Sequence, residues 1–237
     1  MGNIGMAILF NNWSYLLFML PFFILSLVCN MSVKSRFKKY SAIANSKHLT
    51  GAQAAQQVLM AHGVTGVRIE PVRGSLTDHF DPRTNVIRLS ESVYNATSIA
   101  AVGVACHEAG HAVQHAEGYV PNKIRSAIVP AANIGSRLSW IFLVVGFLLP
   151  VKYDFVVIIG IVLFSASVLF TVATLPVEFN ASSRALKTIQ ATGMLNESEY
   201  EGAKKVLTAA AMTYVAAAAT SIAQLLRLVL IANNRRR

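Results

Sequence analysis

His107, Glu108 and His111 stand in the order His-Glu-x-x-His within Val104-Ala-Cys-His-Glu-Ala-Gly-His-Ala-Val-Gln-His115. Residues four apart on a helix share a face, one turn apart. Two such imidazoles can meet one divalent ion, with zinc–nitrogen distances of about 2.0–2.1 Å. Glu108, next to the first ligand, can then serve as general base towards water activated at the ion. The bare motif also occurs on ordinary amphipathic helices. Its flanks separate the two readings. Ile99 to Cys106, with Ala109, Ala112 and Val113, are small and apolar, so the helix is expected to be buried. Two buried histidines beside a buried glutamate need partners, and a metal ion supplies them.

The third ligand must come from elsewhere. His115 lies about 12 Å along the helix axis from His107, too far to share the ion, so a supporting or surface role is expected. Six residues after His111 stands Glu117 rather than a histidine. A carboxylate from a later helix is expected instead, as in a His₂Glu site. Glu178 is the best candidate. It follows Leu175-Pro-Val177, where Pro176 can start or kink a helix, and it ends an apolar stretch. The competing reading is a simple membrane-interface charge. Glu197, Glu199 and Glu201 read as a solvated charge run. Asn180 and Arg184 are placed to orient a ligand or contact substrate. His79 is a candidate for stabilising the transition state; the alternative is a turn-flanking histidine bonded to Asp81. Cys106 points about 100° away from His107 and reads as core. Tyr119 reads as structural, with cover of the cleft as the alternative.

The elements that must position these residues are set by long apolar runs. The apolar fraction is 54% and the charged fraction 14%, against about 25% charged in soluble domains. Residues 1–33 hold no charge and read as a retained transmembrane anchor rather than a signal peptide. Lys34, Arg36, Lys38 and Lys39 follow at once, which places the N-terminus outside and the next segment in the cytoplasm. Residues 34–125 read as a cytoplasmic α+β domain: a helix over Gly51–Ala61 capped by Thr50, three strands with a hairpin beside the motif, and the motif helix over Thr97–Glu117. The strand Asn85–Ser90 could be an edge that takes up substrate as an added strand.

Residues 126–177 read as a transmembrane helical hairpin whose tip is Lys152-Tyr-Asp154. Residues 178–205 carry the third-ligand helix and a polar segment. Residues 206–237 form an apolar helix with a basic tail, spanning the bilayer or lying along it. The architecture is thus mainly α and integral to the membrane, with three to four transmembrane helices. The net charge is +10. Its clusters end apolar runs and carry no interleaved aromatics, which argues for a lipid bilayer as partner and against nucleic acid. Cys29 and Cys106 are not expected to pair.

Three stretches carry a resemblance. Ala105-Cys-His-Glu-Ala-Gly-His-Ala112, Thr77-Asp-His-Phe-Asp-Pro82 leading into Ile87-Arg-Leu-Ser90, and Leu175-Pro-Val-Glu-Phe-Asn-Ala-Ser182 with Arg184-Ala185 resemble the YugP-type membrane-bound neutral zinc metallopeptidases. The layout is also similar to that of the HtpX-type membrane proteases. The resemblance implies a zincin-like domain over 34–125, zinc as cofactor, His107, His111 and Glu178 as ligands, and Glu108 as base. In the HtpX-type enzymes the glutamate stands in Glu-x-x-Ala-Asp. Here Ser182 replaces the aspartate, and Asn180 is a candidate to cover its supporting role. The expected function is a membrane-embedded zinc metalloendopeptidase acting on membrane-associated proteins or peptides, with its site on the cytoplasmic side. The rival readings are a non-catalytic membrane scaffold with a structural metal site and a metal carrier or sensor.

Overall fold

The computed structural model describes residues 13–236. The expected anchor is therefore described only from Trp13, and Met1–Asn12 and Arg237 lie outside the described residues. The chain is mainly α-helical, with one three-stranded sheet. Among the described residues, four helices are long and apolar enough to cross a membrane: α1 (Trp13–Ser41), α5 (Val120–Leu148), α6 (Phe155–Thr192) and α7 (Glu197–Arg235). Two compact units are distinguished. One comprises 13–28, 124–174 and 214–236 among the described residues; the other comprises 29–123 and 175–213.

The second unit is built on helices α2 (Gly51–Ala61), α3 (Glu91–Tyr94) and α4 (Ile99–Ala116), and strands β1 (Arg68–Val72), β2 (His79–Asp81) and β3 (Val86–Ser90). Thr50 starts α2 through a capping box. Its hydroxyl accepts from Gln53 N–H at 3.2 Å, and the Gln53 side chain accepts from Thr50 N–H at 2.9 Å. The β2–β3 turn is held by Asp81, whose carboxylate accepts from the Thr84 hydroxyl, Arg83 N–H and Arg88 guanidinium. Those donors hold the Asp81 carboxyl down at about 2.

Strand β3 is the middle strand, parallel to β1 and antiparallel to β2. This corrects the expectation of an open edge at Asn85–Ser90, because both of its sides are already paired. Its Val86, Ile87, Leu89 and Ser90 are buried, as suits a strand covered on both faces.

Helix α4 is fixed at both ends. The Ser98 hydroxyl accepts from Ala101 N–H at 3.2 Å. Upstream, Asn45 N–H donates to the Thr97 carbonyl and Ile99 N–H to the Ile43 carbonyl. Gly118 follows the helix at φ 65, a conformation that glycine adopts without a Cβ clash. Between these ends, alanines and valines bury the helix within the core. Gly110 has a specific role: a Cβ there would lie 2.7 Å from the Ala181 carbonyl oxygen of α6.

Two competing effects bear on Gly110→Ala. Helix propensity favours it by about 1 kcal/mol, whereas overpacking against backbone costs about 1–3 kcal/mol. The contact should win. We expect a lower melting temperature, which a thermal melt checks.

Glu199 does not belong to a solvated run. It is buried, caps α7 reciprocally with Asn196, and accepts from Ser46 N–H at 2.6 Å. Cys106 is fully buried, its Sγ 3.9 Å from Met194 Sδ, and burial pushes its thiol pKa up. Both cysteines are free.

In the first unit, α5 begins well before Arg137, as the shortness of the apolar run after that residue required. Small residues bring α5 and α6 together: a Cβ on Gly135 would lie 2.5 Å from the Leu163 carbonyl oxygen. Helix α7 is continuous to Arg235. There Arg235 donates to the Gly146 carbonyl at 2.6 Å and to that of Leu149, capping the end of α5. Arg235 and Arg236 flank the buried carboxylate of Asp154, at 3.4 and 3.0 Å. The end of α7 therefore meets the tip of the α5–α6 hairpin.

Candidate metal centre

His107 and His111 lie one turn apart on α4, as their spacing requires, and Glu178 of α6 faces them. The two Nε2 atoms are 3.2 Å apart. Glu178 Oε2 lies 3.3 Å from His107 Nε2 and 3.6 Å from His111 Nε2. Ligand atoms at about 2.0–2.1 Å from a tetrahedral zinc ion are separated by about 3.3 Å. The observed spacings match that edge length, so this donor set fits zinc. Among the described residues this is the one group of three such donors found within reach of a common ion.

The other imidazole nitrogens are occupied. His107 Nδ1 lies 3.0 Å from Ser182 Oγ, and His111 Nδ1 lies 3.1 Å from Gln114 Oε1. In the tautomer with each Nδ1–H donated to oxygen, each Nε2 lone pair would face the common point. Ser182 thus stands beside His107, one turn beyond Glu178. Asn180 does not take that place. It works on the other histidine: Gln114 donates its amide to Asn180 Oδ1 at 2.9 Å and to the Val177 carbonyl at 2.8 Å. Arg184 Nε donates to the same Asn180 oxygen at 2.8 Å, and its Nη1 pairs with Glu117 at 2.7 Å. Arg184 also lies over the Tyr119 ring, 5.9 Å from its centroid.

Glu108 is buried on α4. Its charge is felt at His111. Burial opposes protonation of that imidazole, but the hydrogen bond it donates to Glu178 and the charges of Glu108 and Glu178 outweigh it, and its pKa is raised. A sign follows for pH. The raised folded-state pKa stabilises the metal-free protein below the ordinary imidazole value, and this is lost as pH rises through the raised one. Zinc needs the neutral form, so a proton must leave on binding. We expect apparent zinc affinity to fall by up to roughly tenfold per pH unit below the His111 pKa; competition titration against a calibrated chelator between pH 5 and 8 measures it.

The remaining sequence candidates fall elsewhere. His79 is exposed, donates from Nδ1 to the Thr77 carbonyl at 2.8 Å rather than to Asp81, and is not part of the cluster. His115 is exposed and packs beside Phe80, with ring centroids 5.7 Å apart. Sequence reasoning missed Gln114. The signal was present: it lies three residues after His111, on the same helix face.

A family model described as "Putative neutral zinc metallopeptidase" matches residues 15–233. A curated relative from Bacillus subtilis (strain 168), "Putative membrane protease YugP", is 48% identical over 212 residues, covering 90% of this chain and 93% of that protein. No solved structure matches. Four membrane-length apolar helices and a histidine–histidine–glutamate cluster agree with that kinship, and the chain belongs to this family of neutral zinc metallopeptidases.

Proposed function

We propose that this protein is an integral-membrane zinc endopeptidase that hydrolyses peptide bonds of membrane-associated proteins or peptides. His107, His111 and Glu178 hold the zinc ion, and Glu108 is the general base. The observation that carries this reading is the convergence of two Nε2 atoms and one carboxylate oxygen at the spacing of a tetrahedral site. The group offers three donors among the described residues. A structural zinc site takes four, whereas a catalytic one keeps a position open. That difference favours the enzyme over a scaffold.

Zinc, when bound, supplies a Lewis acid that polarises a carbonyl and acidifies water. Glu108 accepts the proton from the attacking water at its carboxylate and passes it to the leaving amine nitrogen. Ser182 and Gln114 hold the imidazoles in the tautomer that leaves Nε2 free. Asn180 braces Gln114, and Arg184 braces Asn180.

The site is assigned to the cytoplasmic side, with the N-terminus outside, because Lys34, Arg36, Lys38 and Lys39 follow the first apolar run. Arg235 and Arg236 carry little weight against this. Both are engaged with Asp154, and Arg235 also with α5 carbonyls, rather than serving as free surface charge.

The test uses the full chain in detergent or bilayer with fluorescently labelled casein. Cleavage should stop with 1,10-phenanthroline and return with one equivalent of zinc. Undiminished cleavage by protein shown to be zinc-free would overturn the proposal.

A further inference from the structure

The segments of the first unit carry several arginines and a single acidic residue, Asp154. That carboxylate is taken by Arg235 and Arg236. Arg227 lies eight residues before Arg235, about 12 Å back along the helix. It is half-buried. Its Nε is buried without a hydrogen-bond acceptor among the described residues, and its Nη1 reaches only the Gln224 carboxamide oxygen, at 3.4 Å.

Beside Arg227 lies a slot of about 60 Å³ between α5 and α7, walled by Trp140, Val144, Phe147, Leu228 and Ile231. Trp140 and Val144 are 51% and 53% exposed, so the slot has an outer rim on the apolar surface. A guanidinium held among apolar groups is costly unless an anion meets it. The unit's own carboxylate is committed elsewhere, and the medium around an apolar helical surface of this kind is lipid.

We propose that Arg227 and this slot bind one anionic phospholipid. The guanidinium takes the phosphate through paired N–H donors, a geometry that suits phosphate oxygens. The first methylenes of an acyl chain lie against Trp140, Val144 and Phe147. The slot has about the volume of two waters. It holds part of an apolar chain and leaves the rest in the bilayer, which favours a lipid over a soluble anion. This site is separate from the metal centre and does not depend on it.

The full chain is purified, delipidated, placed in phosphatidylcholine nanodiscs with increasing phosphatidylglycerol, and analysed for retained lipid by native mass spectrometry. One phosphatidylglycerol per chain should be retained. Arg227→Gln should weaken retention at least tenfold, and so should Val144→Trp, which fills the slot and keeps the arginine. Inorganic phosphate should not compete. Retention unchanged in both variants, equal retention of phosphatidylcholine, or displacement by inorganic phosphate would overturn the proposal. If Arg227→Gln fails to fold, Val144→Trp alone decides.

Discussion

Glu108→Gln should leave one zinc ion per chain and slow peptide hydrolysis by about 10²- to 10⁴-fold, the range for loss of a general acid–base group. The substitution is nearly isosteric, so the buried helix should tolerate it. It removes the proton acceptor and leaves His107, His111 and Glu178 in place. The loss should fall on kcat with KM little changed, because the carboxylate acts on the reacting atoms rather than on substrate binding. One secondary effect carries a sign. Removing the Glu108 charge removes one of the influences that raise the His111 pKa, so that pKa should fall in the metal-free variant. Full activity in Glu108→Gln would assign the base elsewhere.

Glu178→Ala should have the largest effect on metal content. It removes the only carboxylate in the cluster and leaves two imidazoles on one helix. Bound zinc should fall from one per chain to well below stoichiometric after gel filtration, and hydrolysis should fall with it. The same change removes a buried charge whose neighbours are the two imidazoles. Lost metal therefore has to be separated from lost fold. A melting curve in the presence of chelator does so: a single cooperative transition in the metal-free variant, lower than that of the metal-free wild type by the lost contacts of Glu178 with the imidazoles, shows that the fold is kept. A Glu178→Ala protein with full zinc content would show that the carboxylate is not a ligand.

The parts of this account that were legible in the sequence are those written in local spacing. His107 and His111 share a face because four residues make about one helical turn. Thr50 and Gln53 announce a helix start, and Gly118 announces a stop. The apolar runs over residues 13–33 and 155–177 are equally plain. Glu178 was the reachable case among distant residues, since a carboxylate ending an apolar stretch calls for a partner.

Contacts made across the chain left no such trace. Ser182 and His107 are 75 residues apart, Gln114 and Asn180 66. No periodicity links either pair. The burial of Glu199 depends on Ser46, 153 residues away. The central place of β3 depends on a parallel partner, β1, that precedes the β2–β3 hairpin. The run from Val206 to Ala232 was ambiguous for a related reason. Thr220 turns to Ser26 at 3.0 Å, Thr213 and Ser221 bond carbonyls of their own helix, and Arg235 and Arg236 are held by Asp154.

Zinc K-edge X-ray absorption on the purified wild type and on Glu178→Ala tests the ligand set most directly. The wild-type spectrum should show a nitrogen and oxygen shell at about 2.0–2.1 Å, the outer-shell pattern of two imidazoles, and no sulfur near 2.3 Å. Residual zinc in the variant should show altered coordination. A sulfur shell, the signature of a single imidazole, or identical spectra from the two proteins would contradict the proposed centre.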